Sequence, residues 1–413
     1  MEHKIILKNT LFQIAARSIT SLLTFLTTLL IARNFGAIGY GDFIKITTFV
    51  GLFYLVVDFG LNAIFLQKDN EENINFKDLF YLRLILSSLL FFIVNAISFI
   101  LPFNKELGIG FSPTLRIGIF IFSFSIFLQG ITLSSSVIFQ RRLRFDLLLI
   151  STTIGSIITF LLTLFFIHLF QPLHIIVSAF VIGGVITSAI SLFLSKEKIF
   201  PIVIRIRFIK SLITGSMSLG LMLIFNLIYF RIDIFLLSFF KSTTDVGIYG
   251  IAQRGFDFLI ALPLFLSNAL YPGLLQNKNN YRNTIGILIK YLYISVIFSL
   301  LLIIVFWFLS PLIILVKEDF VPAIVPFRIL LISLPLFFAT SILQWTLISQ
   351  KQQKFLMYVY LLAGILNISL NFIFIPTGSY IASAIITDIS EGIVLICLIA
   401  KLVLHDNFHE VKS

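Results

Sequence analysis

Long apolar segments recur along this chain, and they restrict the folds open to it more than any other feature. A helix needs roughly 20 apolar residues to cross a hydrocarbon core about 30 Å thick. Residues 87–101 and 293–309 are apolar on every face, whereas the strands of a membrane barrel alternate between apolar and polar side chains. Because lipid offers the backbone no hydrogen-bond partner, the sequence predicts an all-α membrane protein.

The composition excludes several other classes of protein. Only 12% of the 413 residues are charged, against roughly a quarter in soluble domains. The single cysteine, Cys397, excludes an internal disulfide and a cysteine-rich metal site, and the five histidines form no paired metal-ligand spacing. We therefore expect no metal and no cofactor. The net charge of +11 comes from basic residues between apolar segments, which favours membrane topology over nucleic-acid binding.

The apolar segments predict twelve transmembrane helices. Their approximate bounds are 10–32, 43–66, 79–101, 115–138, 147–170, 174–195, 211–240, 246–272, 286–310, 324–349, 355–375 and 378–403.

The distribution of lysine and arginine predicts the orientation of these spans. Of the 30 basic residues, twenty lie on the side of the two termini, Arg83 among them, and seven on the other side. Because loops rich in lysine and arginine stay in the cytoplasm, we expect both termini to be cytoplasmic in a multi-pass protein of the bacterial inner membrane.

A basic linker at 195–210 divides the spans into two groups of six. The segments at 39–41 and 247–250 each place a tyrosine between glycines, and Asn62-Ala63 and Asn268-Ala269 repeat at nearly the same offset. Chance matches in an apolar chain are the alternative explanation. The pattern predicts two six-helix lobes, residues 1–205 and 206–413, related by a pseudo-two-fold axis along the membrane normal, an arrangement typical of transporters.

Ionisable side chains inside the predicted spans are the main functional candidates, because each costs about 2.5–3.5 kcal/mol to insert. They are Arg17, Asp58, Arg231, Asp233, Arg254, Asp257, Asp388 and Glu391. A guanidinium suits bidentate binding of a pyrophosphate, so Arg17 either binds an anion or pairs with Asp58. The spacing of Arg254 and Asp257 predicts a pair on one helix face. Asp388 and Glu391 also share a face, where the two carboxylates repel each other. Glu391 is therefore a candidate proton or ion carrier, or a partner for an arginine of a neighbouring span.

Amide side chains in the spans are a second, weaker set of candidates. Asn62, Asn226, Asn367 and Asn371 either line a polar cavity or tie helices together.

Several ordered segments resemble those of the polysaccharide exporters and O-antigen flippases (Wzx type). This family belongs to the multidrug/oligosaccharidyl-lipid/polysaccharide (MOP) superfamily, which also includes multidrug and toxin extruders (MATE) and the lipid II flippase. The segments are RNFGAIGYGD at 33–42, DFGLN at 58–62, FQRRLRF at 139–145, RIDIFLLS at 231–238, DVGIYGIAQR at 245–254 and ITDISE at 386–391. They cover nearly the whole chain in the order of the family.

The resemblance implies a flippase that moves an undecaprenyl-pyrophosphate-linked oligosaccharide to the periplasmic leaflet by alternating access. It also implies a V-shaped pair of lobes around a basic cavity, with Arg17, Arg231 and Arg254 facing it, and coupling to an H⁺ or Na⁺ gradient. Membrane lipid and the polysaccharide polymerase machinery are the other expected partners. Five carboxylates against three arginines in the spans depart from the basic pattern of the family.

Two other functions remain open from the residues alone. A cation-coupled multidrug antiporter of the same fold would use carboxylates such as Asp58, Asp233 and Glu391 in an apolar cavity. A membrane oligosaccharide polymerase would need sizeable loops for its catalytic residues, and every loop here is short. We therefore predict a transporter rather than an enzyme.

Overall fold

The computed structural model describes residues 2–72, 75–202, 205–263, 281–350 and 352–410. Side chains are described from residue 19 onward, apart from those at 68–72, 281–285, 287 and 403–410. Nearly all of these residues are helical. Two short strands, β1 (Phe103–Asn104) and β2 (Ile109–Gly110), pair as an antiparallel hairpin. The predicted all-α membrane fold is confirmed.

The chain divides into two compact units, residues 1–224 and 225–413. Their boundary lies inside one long helix, α9 (Ile206–Phe240), rather than in the basic linker. The predicted lobes at 1–205 and 206–413, and the symmetry axis relating them, stay predictions.

The first unit consists of helices from the first half of the chain. Before α9 it contains α1 (Glu2–Gly51), α2 (Tyr54–Asp58), α3 (Leu61–Glu72), α4 (Phe76–Ile100), α5 (Pro113–Ser123), α6 (Ser125–Arg141), α7 (Phe145–His168) and α8 (Leu173–Ser195).

The second unit continues from α9. It contains α10 (Thr243–Ile260), α11 (Tyr281–Leu309), two short 3₁₀ helices (Ser310–Leu315 and Glu318–Ala323), α12 (Ile324–Ile332), α13 (Leu334–Ser349) and α14 (Gln353–Glu410).

Among the described residues, eight helical stretches, some of them made of consecutive helices, are long and apolar enough to cross a membrane, and one bent pair makes a ninth candidate. The eight are Ile19–Gln67, Phe76–Ile100, Pro113–Arg141, Phe145–His168, Leu173–Ser195, Ile206–Phe240, Leu288–Leu315 and Gln353–Leu402; the bent pair is Glu318–Ile332 with Leu334–Ser349. The prediction of a multi-pass membrane protein is confirmed, and the count of twelve spans stays a prediction.

Two of the helices are interrupted internally. Helix α1 has non-helical backbone at Gly36, with φ of 67°, and α14 has non-helical backbone at Ser379, with φ of 49°. Each of these residues joins two helical segments that are continuous on either side of it. Each of these long helices is therefore two helical segments joined at a single residue.

The second predicted span is broken where α2 ends. Phe59 and Gly60 have φ of 43° and 66°, so the chain passes through the left-handed region before α3 begins at Leu61. A Cβ at position 60 would lie 2.8 Å from the side chain of Leu219 in α9. Gly60 is thus required both by the backbone angle and by the close approach of α9.

Polar side chains define the starts of several helices. Ser112 and Ser242 cap α5 and α10, and each hydroxyl accepts a hydrogen bond from a backbone N–H three residues later at 3.2 Å. Asn75 and Asp78 form a capping box at the start of α4. These caps supply partners for amide groups that the helices leave unpaired.

Helices α7 and α8 cross at a pair of glycines. A Cβ at Gly155 would lie 2.8 Å from the carbonyl oxygen of Gly183, and a Cβ at Gly183 would lie 2.8 Å from that of Gly155. Small residues allow this approach, as is common between membrane helices.

The tyrosines of the two glycine segments, 39–41 and 247–250, are buried to the same extent, each within its own unit. Tyr40 and Tyr249 are both completely buried. Asn268, the later residue of the second repeated pair, lies outside the described residues.

Candidate functional site

Two arginines of the second unit share one carboxylate. Arg231, in α9, donates from Nη2 to Oδ2 of Asp257 at 2.9 Å. Arg254 lies one turn before Asp257 in α10, and its Nη1 is 3.9 Å from the same oxygen. The predicted contact between Arg254 and Asp257 is present, but Arg231 is the closer partner.

The guanidinium groups of this cluster are accessible. The side chain of Arg231 is 30% exposed and that of Arg254 is 31% exposed. Each guanidinium has five N–H donors, which is more than Asp257 alone can accept. Asp233 also interacts electrostatically with Arg231, so the two positive charges of the cluster face two carboxylates. Within the described part of the chain, Asp257 is the only carboxylate within 4 Å of either arginine. The arrangement can accept an anion.

A small cavity lies beside these charges, with room for about one water molecule. Phe337 packs against Phe230 and Phe256 in its wall, with ring centroids 5.5 and 5.3 Å apart. Asp257 and Gln253 supply polar groups, and the Gln253 side-chain carbonyl is buried without a hydrogen-bond partner among the described residues. The cavity is therefore aromatic with a few polar atoms.

Asp233 is held by a neighbouring tyrosine rather than by an arginine. It is buried, and its carboxylate accepts hydrogen bonds from Tyr249 Oη at 2.5 Å and from the backbone N–H of Ile234 at 2.8 Å. The buried tyrosine of the 247–250 segment thus fixes this carboxylate in place.

Glu391 is buried between hydroxyl groups. Its Oε2 accepts a hydrogen bond from Tyr229 Oη at 2.6 Å, and its Oε1 accepts one from Thr340. No lysine or arginine with a described side chain forms an ion pair with it. The predicted alternative of an arginine partner for Glu391 is therefore not seen in this part of the chain. Asp388 lies one turn earlier, and its Oδ1 is buried without a hydrogen-bond partner in the described chain.

The asparagines of α14 bind to each other and to the later part of the helix. Asn371 donates to the side chain of Asn367 at 2.7 Å, and Asn367 donates to Ser390 Oγ at 3.3 Å, beyond the interruption at Ser379. These contacts tie helical segments together, and a cavity-lining role stays a prediction. Asn226 is partly buried in α9.

A second buried charge cluster lies in the first unit and involves Arg83. Its side chain is completely buried, and Nη2 lies 2.8 Å from Asn62 Oδ1 and 3.4 Å from Asp58 Oδ1. Its Nε also donates to the carbonyl of Val57 at 3.3 Å. Arg83 therefore bonds to residues on both sides of the break at 59–60.

Asp58 pairs with Arg83, which sequence analysis grouped with the cytoplasmic charges. The capping box at Asn75 and Asp78 could have indicated that Arg83 is buried. It begins α4 early enough to place Arg83 two turns inside the helix. The backbone of Arg17 is helical, but its side chain lies outside the described residues, so neither prediction for Arg17 is tested.

Two family models match the chain. One, described as polysaccharide biosynthesis protein, matches residues 6–278, and the other, described as MatE, matches residues 219–373. No curated protein matches the chain.

Solved membrane transporters share the fold over almost the whole chain. The lipid II flippase MurJ, in an inward closed conformation, matches with a TM-score of 0.77 and 18% identity over 95% of this chain and 87% of its own. An inward-facing MATE multidrug resistance transporter of the MOP superfamily matches with 0.78 and 11% identity over 98% and 100%. A MOP superfamily transporter from Pyrococcus furiosus matches with 0.68 and 12% identity over 96% and 95%. At these identities the likeness shows a common fold.

Proposed function

We propose, from the premise that the chain belongs to the polysaccharide biosynthesis protein family, that it is a flippase for an oligosaccharide linked to undecaprenyl pyrophosphate. Membership of this family confirms the resemblance inferred from the sequence. The proposal names the cargo, the direction of movement from the cytoplasmic to the periplasmic leaflet, and the bacterial inner membrane as its location. Both termini lie in the cytoplasm in this proposal.

The single observation that carries the proposal is the sharing of Asp257 by Arg231 and Arg254. A pyrophosphate has several anionic oxygens, and planar guanidinium groups bind such oxygens in pairs. Because the two arginines are partly exposed and present more N–H donors than Asp257 can accept, a diphosphate can use the donors that Asp257 leaves free. Arg17 joins them as a third anion-binding residue in our proposal.

Transport of this cargo requires no covalent step. The two lobes, residues 1–205 and 206–413, alternately open the site to each side of the membrane. The diphosphate stays with the arginines while the glycan crosses through a wet cavity and the polyprenyl chain remains in lipid. The chain acts as a carrier, and it passes the lipid-linked product to polymerase machinery on the periplasmic side.

We further propose that a proton or sodium gradient drives the cycle through Glu391, with Asp388 and Asp233 as the other carboxylates of the network. A buried carboxylate without a cationic partner is costly, so it tends to bind a proton or a metal ion. The hydroxyls of Tyr229 and Thr340 hold Glu391 where it can do so.

The experiment is restoration of surface glycan in a bacterial strain that lacks its own flippase and makes the matching lipid-linked oligosaccharide. We expect the unsubstituted chain to restore the glycan. We expect Arg231→Gln with Arg254→Gln to lower it at least about tenfold, because each charged hydrogen bond contributes about 1.5–3 kcal/mol.

Arg328→Gln is the matched control. Arg328 lies in the same unit, donates to Ser310 at 2.8 Å and stacks on Trp307, apart from the proposed site. Full glycan from the double variant, at unchanged protein level, would reject the two arginines as the site. No glycan from the unsubstituted chain would reject the proposed cargo.

The aromatic cavity favours a second candidate, a cation-coupled multidrug antiporter. Phe230, Phe256 and Phe337 beside the Asp257 carboxylate are groups that contact organic cations, in a cavity that must widen from the size of about one water molecule to admit one. Export of such a cation by the double arginine variant, with no effect on glycan, would favour this function over the flippase.

A further inference from the structure

The linker between α8 and α9 is fastened to the first unit through its backbone. Tyr81 Oη donates to the carbonyl of Ile199 at 2.8 Å, and Lys77 Nζ donates to that of Phe200 at 2.7 Å. Arg142 Nη1 donates to the carbonyl of Ser195 at 2.7 Å. Side chains of α4 and of the α6–α7 turn thus hold the linker by its carbonyl groups.

Ion pairs fix both ends of the linker. Arg142 also pairs with Glu197 at 2.8 Å, and Arg205 pairs with the buried Asp78 of the α4 capping box. The hydrogen bond to Asp78 raises the pKa of the Arg205 guanidinium above its usual value. These contacts therefore hold one side of the linker against the first unit.

The side chains on the other side of the linker point away from the unit. Phe200 is 68% exposed, Ile202 is 61% exposed and Ile206 is 76% exposed. Basic side chains are interleaved with them, and Lys196, Lys198 and Arg207 are also exposed. No described carboxylate forms an ion pair with any of these three.

These six outward side chains, which we call the linker face, are expected at the surface of the membrane. The linker joins the candidate spans Leu173–Ser195 and Ile206–Phe240, so its residues are within a few positions of the hydrocarbon on both sides. Exposed aromatic and aliphatic side chains are favourable there, because they enter the boundary between headgroups and acyl chains. The unpaired cations at the same level meet lipid phosphates.

We infer that the linker face is a binding surface for anionic phospholipid in the leaflet beside it. The apolar side chains contact acyl chains, and Lys196, Lys198 and Arg207 contact the anionic headgroups. This interaction is separate from the carriage of a lipid-linked glycan, because none of its residues belongs to the arginine cluster. It selects lipid by charge, and each basic residue near the surface contributes about 1 kcal/mol, or roughly fivefold.

The test measures which lipid contacts the linker face in the full-length chain. Cys397→Ser removes the one native thiol, and Phe200→Cys then takes an apolar bimane label. The protein is placed in phosphatidylcholine nanodiscs that contain phosphatidylglycerol, with bromine on the acyl chains of either one lipid or the other. We expect brominated phosphatidylglycerol to be enriched at the label at least about fivefold over its share of the lipid.

Lys196→Gln, Lys198→Gln and Arg207→Gln together are expected to abolish this enrichment. Arg144→Gln is the matched control, because Arg144 is exposed on the α6–α7 turn but already pairs with Asp146 at 2.8 Å. Labelling of position 200 from the same side of the membrane confirms that the triple variant keeps its orientation.

A salt titration of the unsubstituted, labelled chain tests the inference without those variants. The enrichment is expected to fall as salt rises, because salt screens charges at the membrane surface. Equal quenching by the two brominated lipids, quenching by neither, or an enrichment that survives the triple substitution would each overturn the inference.

Discussion

Arg83 Nη2 lies 2.8 Å from Asn62 Oδ1, so a completely buried arginine of α4 is bonded to the first turn of α3, beyond the break in the second span. The same guanidinium contacts Asp58 and the carbonyl of Val57 before the break. A helix break leaves backbone carbonyls without their usual partners, and Arg83 supplies donors for one of them. This side chain therefore holds the two parts of the span together.

We predict that Arg83→Gln destabilises the protein by about 3–5 kcal/mol, because it leaves a carboxylate and buried acceptors without a cation. The measurement is thermal unfolding in detergent. Size-exclusion chromatography of a fluorescent fusion gives the fraction that remains folded after heating. Arg144→Gln removes an exposed ion pair and is expected to cost about 0–1 kcal/mol. Equal melting temperatures for the two variants would contradict the proposed role of Arg83.

Asp257→Asn is expected to strengthen binding of undecaprenyl pyrophosphate at least about fivefold. The substitution removes a negative charge from the site and frees donors of Arg231 and Arg254, and ~1 kcal/mol of lost repulsion corresponds to this factor. Titration of the purified chain in nanodiscs measures the affinity. Asp319→Asn, at an exposed pair with Lys317, serves as the control. Weaker binding would mean that Asp257 orients the arginines for their ligand.

Glu391→Gln and Tyr229→Phe distinguish a coupling role from a structural one. Both remove part of the same hydrogen bond, and each is expected to cost about 1 kcal/mol of stability. Only Glu391→Gln removes the ionisable group, so only this variant should lose the stimulation of transport by an imposed proton or sodium gradient. Transport in proteoliposomes with and without each gradient measures this, and a coupled Glu391→Gln protein would exclude the residue as the carrier.

Gly155→Ala is expected to destabilise the first unit by about 1–3 kcal/mol, since the new methyl group meets the Gly183 backbone and the helices must move apart. Gly286→Ala in α11 is the control, because nothing lies within 4 Å of its added Cβ. It should be neutral or slightly stabilising. Thermal unfolding of both proteins measures the difference, and an unchanged melting temperature for Gly155→Ala would show that the α7–α8 crossing is looser than described.

The helices could be predicted because each apolar segment is long enough to cross a membrane, and this length is a local property of the sequence. The contact between Arg254 and Asp257 could be predicted for the same reason, since three residues of helix bring two side chains to one face. The closer pair, Arg231 with Asp257, joins two different helices, and nothing local in the sequence specifies that approach.

The burial of Arg83 and its pairing with Asp58 were missed for a related reason. A count of basic residues treats an arginine near a predicted span end as solvated, whereas the capping box begins α4 earlier and takes Arg83 inside. Its partners, Asp58 and Asn62, lie beside a break that depends on the conformation of Phe59 and Gly60. Such a break changes which side chains meet without changing the hydropathy of the segment.

The linker between α8 and α9 is gripped at the carbonyl oxygens of Ser195, Ile199 and Phe200. Every amino acid carries a backbone carbonyl oxygen, so these hydrogen bonds do not depend on which side chains stand at the three positions. Substitutions of the outward side chains therefore leave the attachment of the linker to the first unit intact. The lipid preference of the outward surface can therefore be changed by substitution while the attachment of the linker is retained.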